Sequence, residues 1–147
     1  MSSHPAAPVH GHILTPQGFV RGTLRTTPEG RIASIQGVPV ATAAVRDSTE
    51  PIVLPGFIDL HVHGGAGHDI MEGGDAALHV ATLHARHGTT SLLATTMTAP
   101  QSDLDAAFAA MGPLCRKRAP NAARVLGVRL EGPYISGARL GAQPPFA

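Results

Sequence analysis

The spacing of apolar residues changes character midway along this chain. From Val9 to about Leu54 they fall in short runs separated by turn signals. Val9 to Leu14 precedes Thr15-Pro16-Gln17-Gly18, Phe19 to Leu24 follows, and Pro28-Glu29-Gly30 leads into the alternating stretch Arg31 to Val38. Pro39 and Pro51 punctuate what remains. Runs of this length bounded by Pro and Gly predict strands. So small a sheet cannot bury both faces alone and needs a partner. Residues 1–8 read as a disordered tail.

The next stretch, Pro55 to Gly65 (PGFIDLHVHGG), reads as a strand ending in two histidines and a glycine turn. Alternation puts Phe57, Asp59, His61 and His63 on one face. Ile58, Leu60 and Val62 form the other, an aliphatic surface expected to lie under helices. After Gly67 the period becomes helical. Ala76 to His87 predicts an Ala-rich, broadly buried helix, with Asp75 as its N-cap and Gly88 at the left-handed C′ position. Thr89 to Thr98 reads as a buried strand. Pro100 to Arg118 reads as a second helix, with Leu104, Ala107, Phe108, Met111, Leu114 and Cys115 on one stripe and a kink or a split-off final turn at Gly112-Pro113. Arg124 to Leu130 closes the series as a third strand, followed by Glu131. Strand–helix–strand–helix–strand with short loops predicts α/β architecture with a parallel sheet. A (β/α)8 barrel takes about 250 residues, so 147 residues hold about three of its eight units.

Composition narrows the function. A formal net charge of +1 with 14% charged residues argues against nucleic-acid or membrane-surface partners. The single basic run, Arg116-Lys117-Arg118, closes a helix, where cations meet the favourable end of the macrodipole. Cys115 is the sole cysteine, so no internal disulfide forms, and its place on the apolar stripe makes it a packed thiol. Neither a secretory leader nor an apolar run of about 20 residues is present, so the expected compartment is the cytoplasm.

Candidate chemistry follows from the topology. In parallel strands joined by helices, all C-terminal strand ends share one rim, which gathers His61, His63 and Glu131. Two imidazoles and a carboxylate suit Zn²⁺ or another divalent transition metal. Such an ion polarises a carbonyl and acidifies bound water. Asp59, one step deeper on the same face, is a candidate to support these ligands from behind. A second His-x-His, His10-Gly11-His12, has no nearby acidic residue and reads as exposed imidazoles on a sheet edge.

Pro55 to Glu72 (PGFIDLHVHGGAGHDIME) resembles the opening signature of the amidohydrolase superfamily. His87 to Thr98 (HGTTSLLATTMT) and Leu126 to Gly141 (LGVRLEGPYISGARLG) are more narrowly similar to the N-acetylglucosamine-6-phosphate deacetylase family. The resemblance runs from about Val9 to the last residue. It implies metal-dependent hydrolysis of the N-acetyl group of N-acetylglucosamine 6-phosphate, giving glucosamine 6-phosphate and acetate. The implied fold is a (β/α)8 barrel beside a small β-sandwich, with residues 9–54 as the N-terminal part of the sandwich and 55–147 as the first barrel strands and helices. The implied cofactor is one or two divalent metal ions, zinc first, with iron, manganese or cobalt as alternatives. Glu131 is then a metal ligand, His61 and His63 supply a further metal position, and Ala142 and Gln143 lie against the sugar. A homodimer is implied for a full-length protein. The general acid/base aspartate, which would deprotonate the water and then protonate the leaving amine, is expected beyond residue 147.

Two residues depart from the family pattern: Gln143 and Arg129 each stand where relatives often have His. An Arg beside Glu131 pairs with it and competes with metal. The 147-residue chain alone is expected to be inactive. Two other readings stay open. One is a non-catalytic truncated or split-gene fragment that binds a partner through an open barrel edge. The other is a different amidohydrolase, such as a dihydroorotase-like enzyme.

Overall fold

A computed structural model of the chain describes residues 6–146. The chain divides between Pro55 and Gly56 into two compact units. Most of the expected N-terminal tail, residues 1–5, lies outside the described residues, and Ala6 to Pro8 carry no regular structure.

The first unit is a four-stranded sheet. Strands β1 (Val9–Thr15) and β2 (Gly18–Thr26) form a hairpin across Pro16-Gln17, with Val9 opposite Leu24 and Thr15 opposite Gly18. β3 (Ile32–Pro39) pairs antiparallel with β2. After the short helix α1 (Thr42–Arg46), β4 (Ile52–Val53) adds parallel to β1, giving the order β3-β2-β1-β4. Gly11, Gly22 and Gly37 lie side by side across three strands. A Cβ on Gly22 would stand 1.9 Å from the Gln36 carbonyl oxygen, so only glycine fits this crossing.

The structure bears out an exposed imidazole for His10 and corrects that reading for His12. β1 is an interior strand, because the two-residue β4 covers its free side. His12 is buried at 4% exposure, with Nε2 3.0 Å from Ser48 Oγ, whereas His10 is exposed and lies 2.9 Å from Thr23 Oγ1. Neither α1 nor β4 is visible in the pattern, since each is too short to repeat its period twice.

The second unit is α/β. It begins with β5 (Phe57–Val62), followed by a tight hairpin of β6 (Gly64–Gly65) and β7 (His68–Asp69) and a 3-10 turn, Ile70–Glu72. That turn carries a capping box. Asp69 accepts the Met71 amide at 2.8 Å and Glu72 accepts the Asp69 amide at 3.0 Å. Then come α2 (Ala76–Arg86), β8 (Thr89–Thr95), α3 (Gln101–Arg116) and β9 (Arg124–Arg129). β5, β8 and β9 form a parallel sheet with β8 central. Asp75 occupies the N-cap position of α2, but its side chain makes no capping bond. Gly88 takes the expected left-handed conformation after the helix, φ +91°. α3 continues through Gly112-Pro113 instead of breaking there. Pro113 sits in the last turn, where its missing N–H removes a single helical bond.

The core lies between one sheet face and these helices. Val62, Leu92, Ala94 and Val125 from the strands meet Ala77, Val80 and Ala81 of α2 and Ala107 and Met111 of α3. Small helical residues let α2 and α3 lie close on the sheet. Cys115 packs at the margin of this cluster, and burial pushes its thiol above its ordinary value. One expectation fails. Ile58 and Leu60, read as lying under helices, are 62% and 59% exposed, and of that face Val62 alone enters the core. The helices cover the β8 and β9 side, and β5 is an edge strand. Among the described residues, no helix is long and apolar enough to cross a membrane.

Candidate metal centre

Because β5, β8 and β9 run parallel, their C-terminal ends meet at one rim of the second unit. His61 lies near the end of β5, His63 one residue past it, and Glu131 two residues past β9. Their donor atoms converge. His61 Nε2 is 2.9 Å from His63 Nε2 and 2.9 Å from Glu131 Oε2, and His63 Nε2 is 3.7 Å from the same oxygen. Two ligands bound at 2.0–2.1 Å stand about 2.9 Å apart at a right angle and about 3.4 Å apart at the tetrahedral angle. Two of the separations equal the right-angle value and the third, 3.7 Å, exceeds the tetrahedral one, so the three donors form a candidate site for one ion. His63 Nδ1 is shielded and has no hydrogen-bond partner among the described residues, which leaves Nε2 as its accessible donor. His61 is half exposed, so the cluster faces outward on one side.

The central strand aligns the two flanking ones. Thr95 Oγ1 accepts the amide of Val62, the residue between the two histidines, at 3.0 Å. Thr96 Oγ1 accepts the amide of Glu131 at 3.2 Å. Both threonines are fully buried. β-branching marks Thr95 and Thr96 as strand formers in the sequence, whereas a cross-strand acceptor leaves no mark there. Asp59 Oδ1 accepts the His61 backbone amide at 3.0 Å, so it steadies the chain at His61 and not the imidazole. On the far side of His63, its carbonyl accepts the Ile70 amide at 2.8 Å.

Both oxygens of Glu131 are engaged. Gln143 Nε2 donates to Oε1 at 2.7 Å, while Gln143 Oε1 accepts the Thr98 amide at 2.8 Å. Arg129 Nη1 donates to Oε2 and also lies 3.3 Å from His61 Nε2. The Arg129 guanidinium holds the Glu131 carboxyl below the usual carboxylate range, with His61 and His63 adding to the effect. Gln143 thus reaches the carboxylate, whereas Ala142, beside it, is exposed. Next to Gln143 lies an open depression of about 410 Å³, lined by Asp69, Met71, Met97, Thr98, Asp103 and Phe146.

A parallel α/β unit with a His-His-carboxylate cluster at its C-terminal rim points to one class of metal-dependent hydrolases. Residues 52–142 match the Amidohydrolase family, and the chain belongs to it. Its particular relatives are amino-sugar phosphate deacetylases. It is 39% identical over 134 residues to N-acetylgalactosamine-6-phosphate deacetylase of Escherichia coli O157:H7, covering 90% of this chain and 34% of the relative. It is 39% identical over 118 residues to N-acetylglucosamine-6-phosphate deacetylase of Lysinibacillus sphaericus, covering 79% of this chain and 30% of the relative. Among solved structures it resembles N-acetylglucosamine-6-phosphate deacetylase from Thermotoga maritima, with a TM-score of 0.75, 26% identity, and coverage of 94% of this chain and 35% of that one. It also resembles the D267A mutant of the Mycobacterium smegmatis enzyme in complex with N-acetyl-D-glucosamine-6-phosphate, with a TM-score of 0.71, 26% identity, and coverage of 95% and 36%. The chain spans about a third of the length of these relatives.

Proposed function

We propose that this chain is part of a cytoplasmic, metal-dependent deacetylase that hydrolyses the N-acetyl group of a 6-phosphorylated amino sugar. The observation that carries the reading is the convergence of His61, His63 and Glu131 at one rim of an amidohydrolase-family chain. The three-strand unit is then the start of a (β/α)8 barrel, and residues 9–54 are part of a small β-sandwich. His61 and His63 would hold a divalent ion, zinc first, through Nε2, and Glu131 would hold it through Oε2. When bound, the ion supplies polarisation of the amide carbonyl and acidification of water.

The chain's own residues set the stage for that chemistry. Thr95 and Thr96 fix the ends of the flanking strands at the rim. Gln143 keeps Glu131 Oε1 occupied, so Oε2 is the oxygen turned toward the histidines. In the net reaction, water adds to the acetyl carbonyl and the C–N bond breaks. Acetate and the free amine of the sugar phosphate leave. Relatives named for glucosamine and for galactosamine substrates match equally in identity, so both sugars belong in the assay.

The test is acetate release from N-acetylglucosamine 6-phosphate and N-acetylgalactosamine 6-phosphate by the complete polypeptide that carries this sequence. Zinc-dependent release that H63A and E131Q abolish is the expected result. Equal release by those variants, or none from either sugar, overturns it. The 147-residue chain alone is expected to release no acetate.

A further inference from the structure

Arg129 stands on the two donor atoms that an ion at this centre would need. Its Nη1 donates to Glu131 Oε2 and sits 3.3 Å from His61 Nε2, atoms that are themselves 2.9 Å apart. A guanidinium has five N–H donors, no lone pair, and a charge that persists at any ordinary pH. It is therefore never a ligand, and toward these atoms it acts as a rival cation. Gln143 occupies Oε1 from the other side, so Oε2 is the oxygen turned toward His61. The Arg129 side chain is 40% exposed, so its long stem can carry the guanidinium out to water without disturbing the core. Lys or His at this position would present a different rival: a compact ammonium with no fork, or an imidazole that has a lone pair of its own.

We propose that Arg129 is a built-in competitor for metal. At rest the guanidinium takes the cation's place on Glu131 Oε2 and His61 Nε2, and a divalent ion loads only as Arg129 swings away. This rests on the reading of His61, His63 and Glu131 as metal ligands. It predicts a specific direction: removing a positively charged, hydrogen-bonded neighbour of the site strengthens metal binding, whereas removing an ordinary supporting residue weakens it.

The test is titration of the chain with Zn²⁺ alone, followed calorimetrically, and with Co²⁺ alone, followed by its visible absorption. R129Q and R129M both remove the charge, by two different side chains, and circular dichroism checks that each stays folded. The expected result is at least tenfold tighter Zn²⁺ binding by both variants, with the Co²⁺ band saturating at lower added cobalt. R129K, which keeps the charge, stays within about threefold of the unsubstituted chain. Adding H61A and H63A to R129Q removes the gain. Unchanged or weaker binding by folded R129Q and R129M overturns the proposal. In that event a loss of affinity in the H61A/H63A chain shows that the metal centre stands without an arginine competitor. If H61A/H63A binds as the unsubstituted chain does, the metal-centre reading itself is overturned.

Discussion

Thr95→Val tests how the central strand sets the site. The substitution keeps the shape of a fully buried side chain and deletes the hydroxyl that accepts the Val62 amide at 3.0 Å. Val62 is itself 3% exposed, so water cannot replace the lost acceptor. Leaving such an amide unpaired costs about 1–3 kcal/mol. The bond from Thr95 Oγ1 to the Leu93 carbonyl, 3.4 Å long, adds little. With a urea slope of about 1–2 kcal/mol per molar for a chain of this size, the midpoint should fall by about 1 M. Val62 separates His61 from His63, so metal affinity should fall with stability. Thr95→Ser restores the acceptor and loses one methyl, at about 0.8 kcal/mol if fully buried, and should recover most of the metal affinity. Urea unfolding by circular dichroism, with Zn²⁺ titration of the three proteins, reads both effects. If Thr95→Val unfolds within 0.2 M of the unsubstituted chain and binds Zn²⁺ equally, the threonine does not align the strands.

Other outcomes follow from the same geometry. Gln143→Met keeps the bulk near Met97 but releases Glu131 Oε1 and the Thr98 amide, and should lower Zn²⁺ affinity by about tenfold, measured by calorimetry. Gly132→Ala places a Cβ 2.0 Å from Thr98 Oγ1 at φ +76°, directly beside Glu131. It should destabilise the chain by more than about 2 kcal/mol in urea unfolding, and a smaller change would mean that the backbone at Thr98 shifts freely to make room, since Thr98 Cβ and Cα also stand within 3.0 Å of the added atom. Leu92→Ala, at the centre of the core with 0% exposure, should cost about 2–5 kcal/mol in the same assay. Glu50, Glu72 and Glu131 are held below the usual carboxylate range, first by hydrogen bonds from Arg21, His68 and Arg129 respectively. Each binds a proton more readily unfolded than folded. Their contribution is therefore present above the ordinary carboxylate range and lost as pH falls through the depressed values. Urea midpoints should hold from pH 7 to 5 and drop below about pH 4, and a midpoint that rises on acidification would refute the sign.

Periodicity alone marks the elements that persist over several turns or pleats. Ala76 to Arg86 and Gln101 to Arg116 repeat often enough to be seen, and β5, β8 and β9 each carry five or more residues between breakers. His61, His63 and Glu131 could be placed at one rim because parallel topology sends every strand end the same way. Short elements were invisible. α1, β4 and the β6–β7 hairpin exist through their neighbours, and residues 48–51, which lead into β4, are what His12 contacts. How far β5 is covered also escaped the pattern: alternation puts Ile58, Leu60 and Val62 on the face that meets the core, but helix placement leaves only Val62 of the three buried.

At the site, residue types and spacing determine which atoms can bind metal, since imidazole and carboxylate chemistry is fixed by the side chain. How those atoms are held was decided by tertiary structure. Thr95 and Thr96 act across strands, and Gln143 returns from twelve residues beyond Glu131 to grip its carboxylate. Arg129 reaches a histidine sixty-eight residues earlier in the chain. A hydrogen bond depends on distance and angle to within a few tenths of an ångström, and no one-dimensional pattern carries that information.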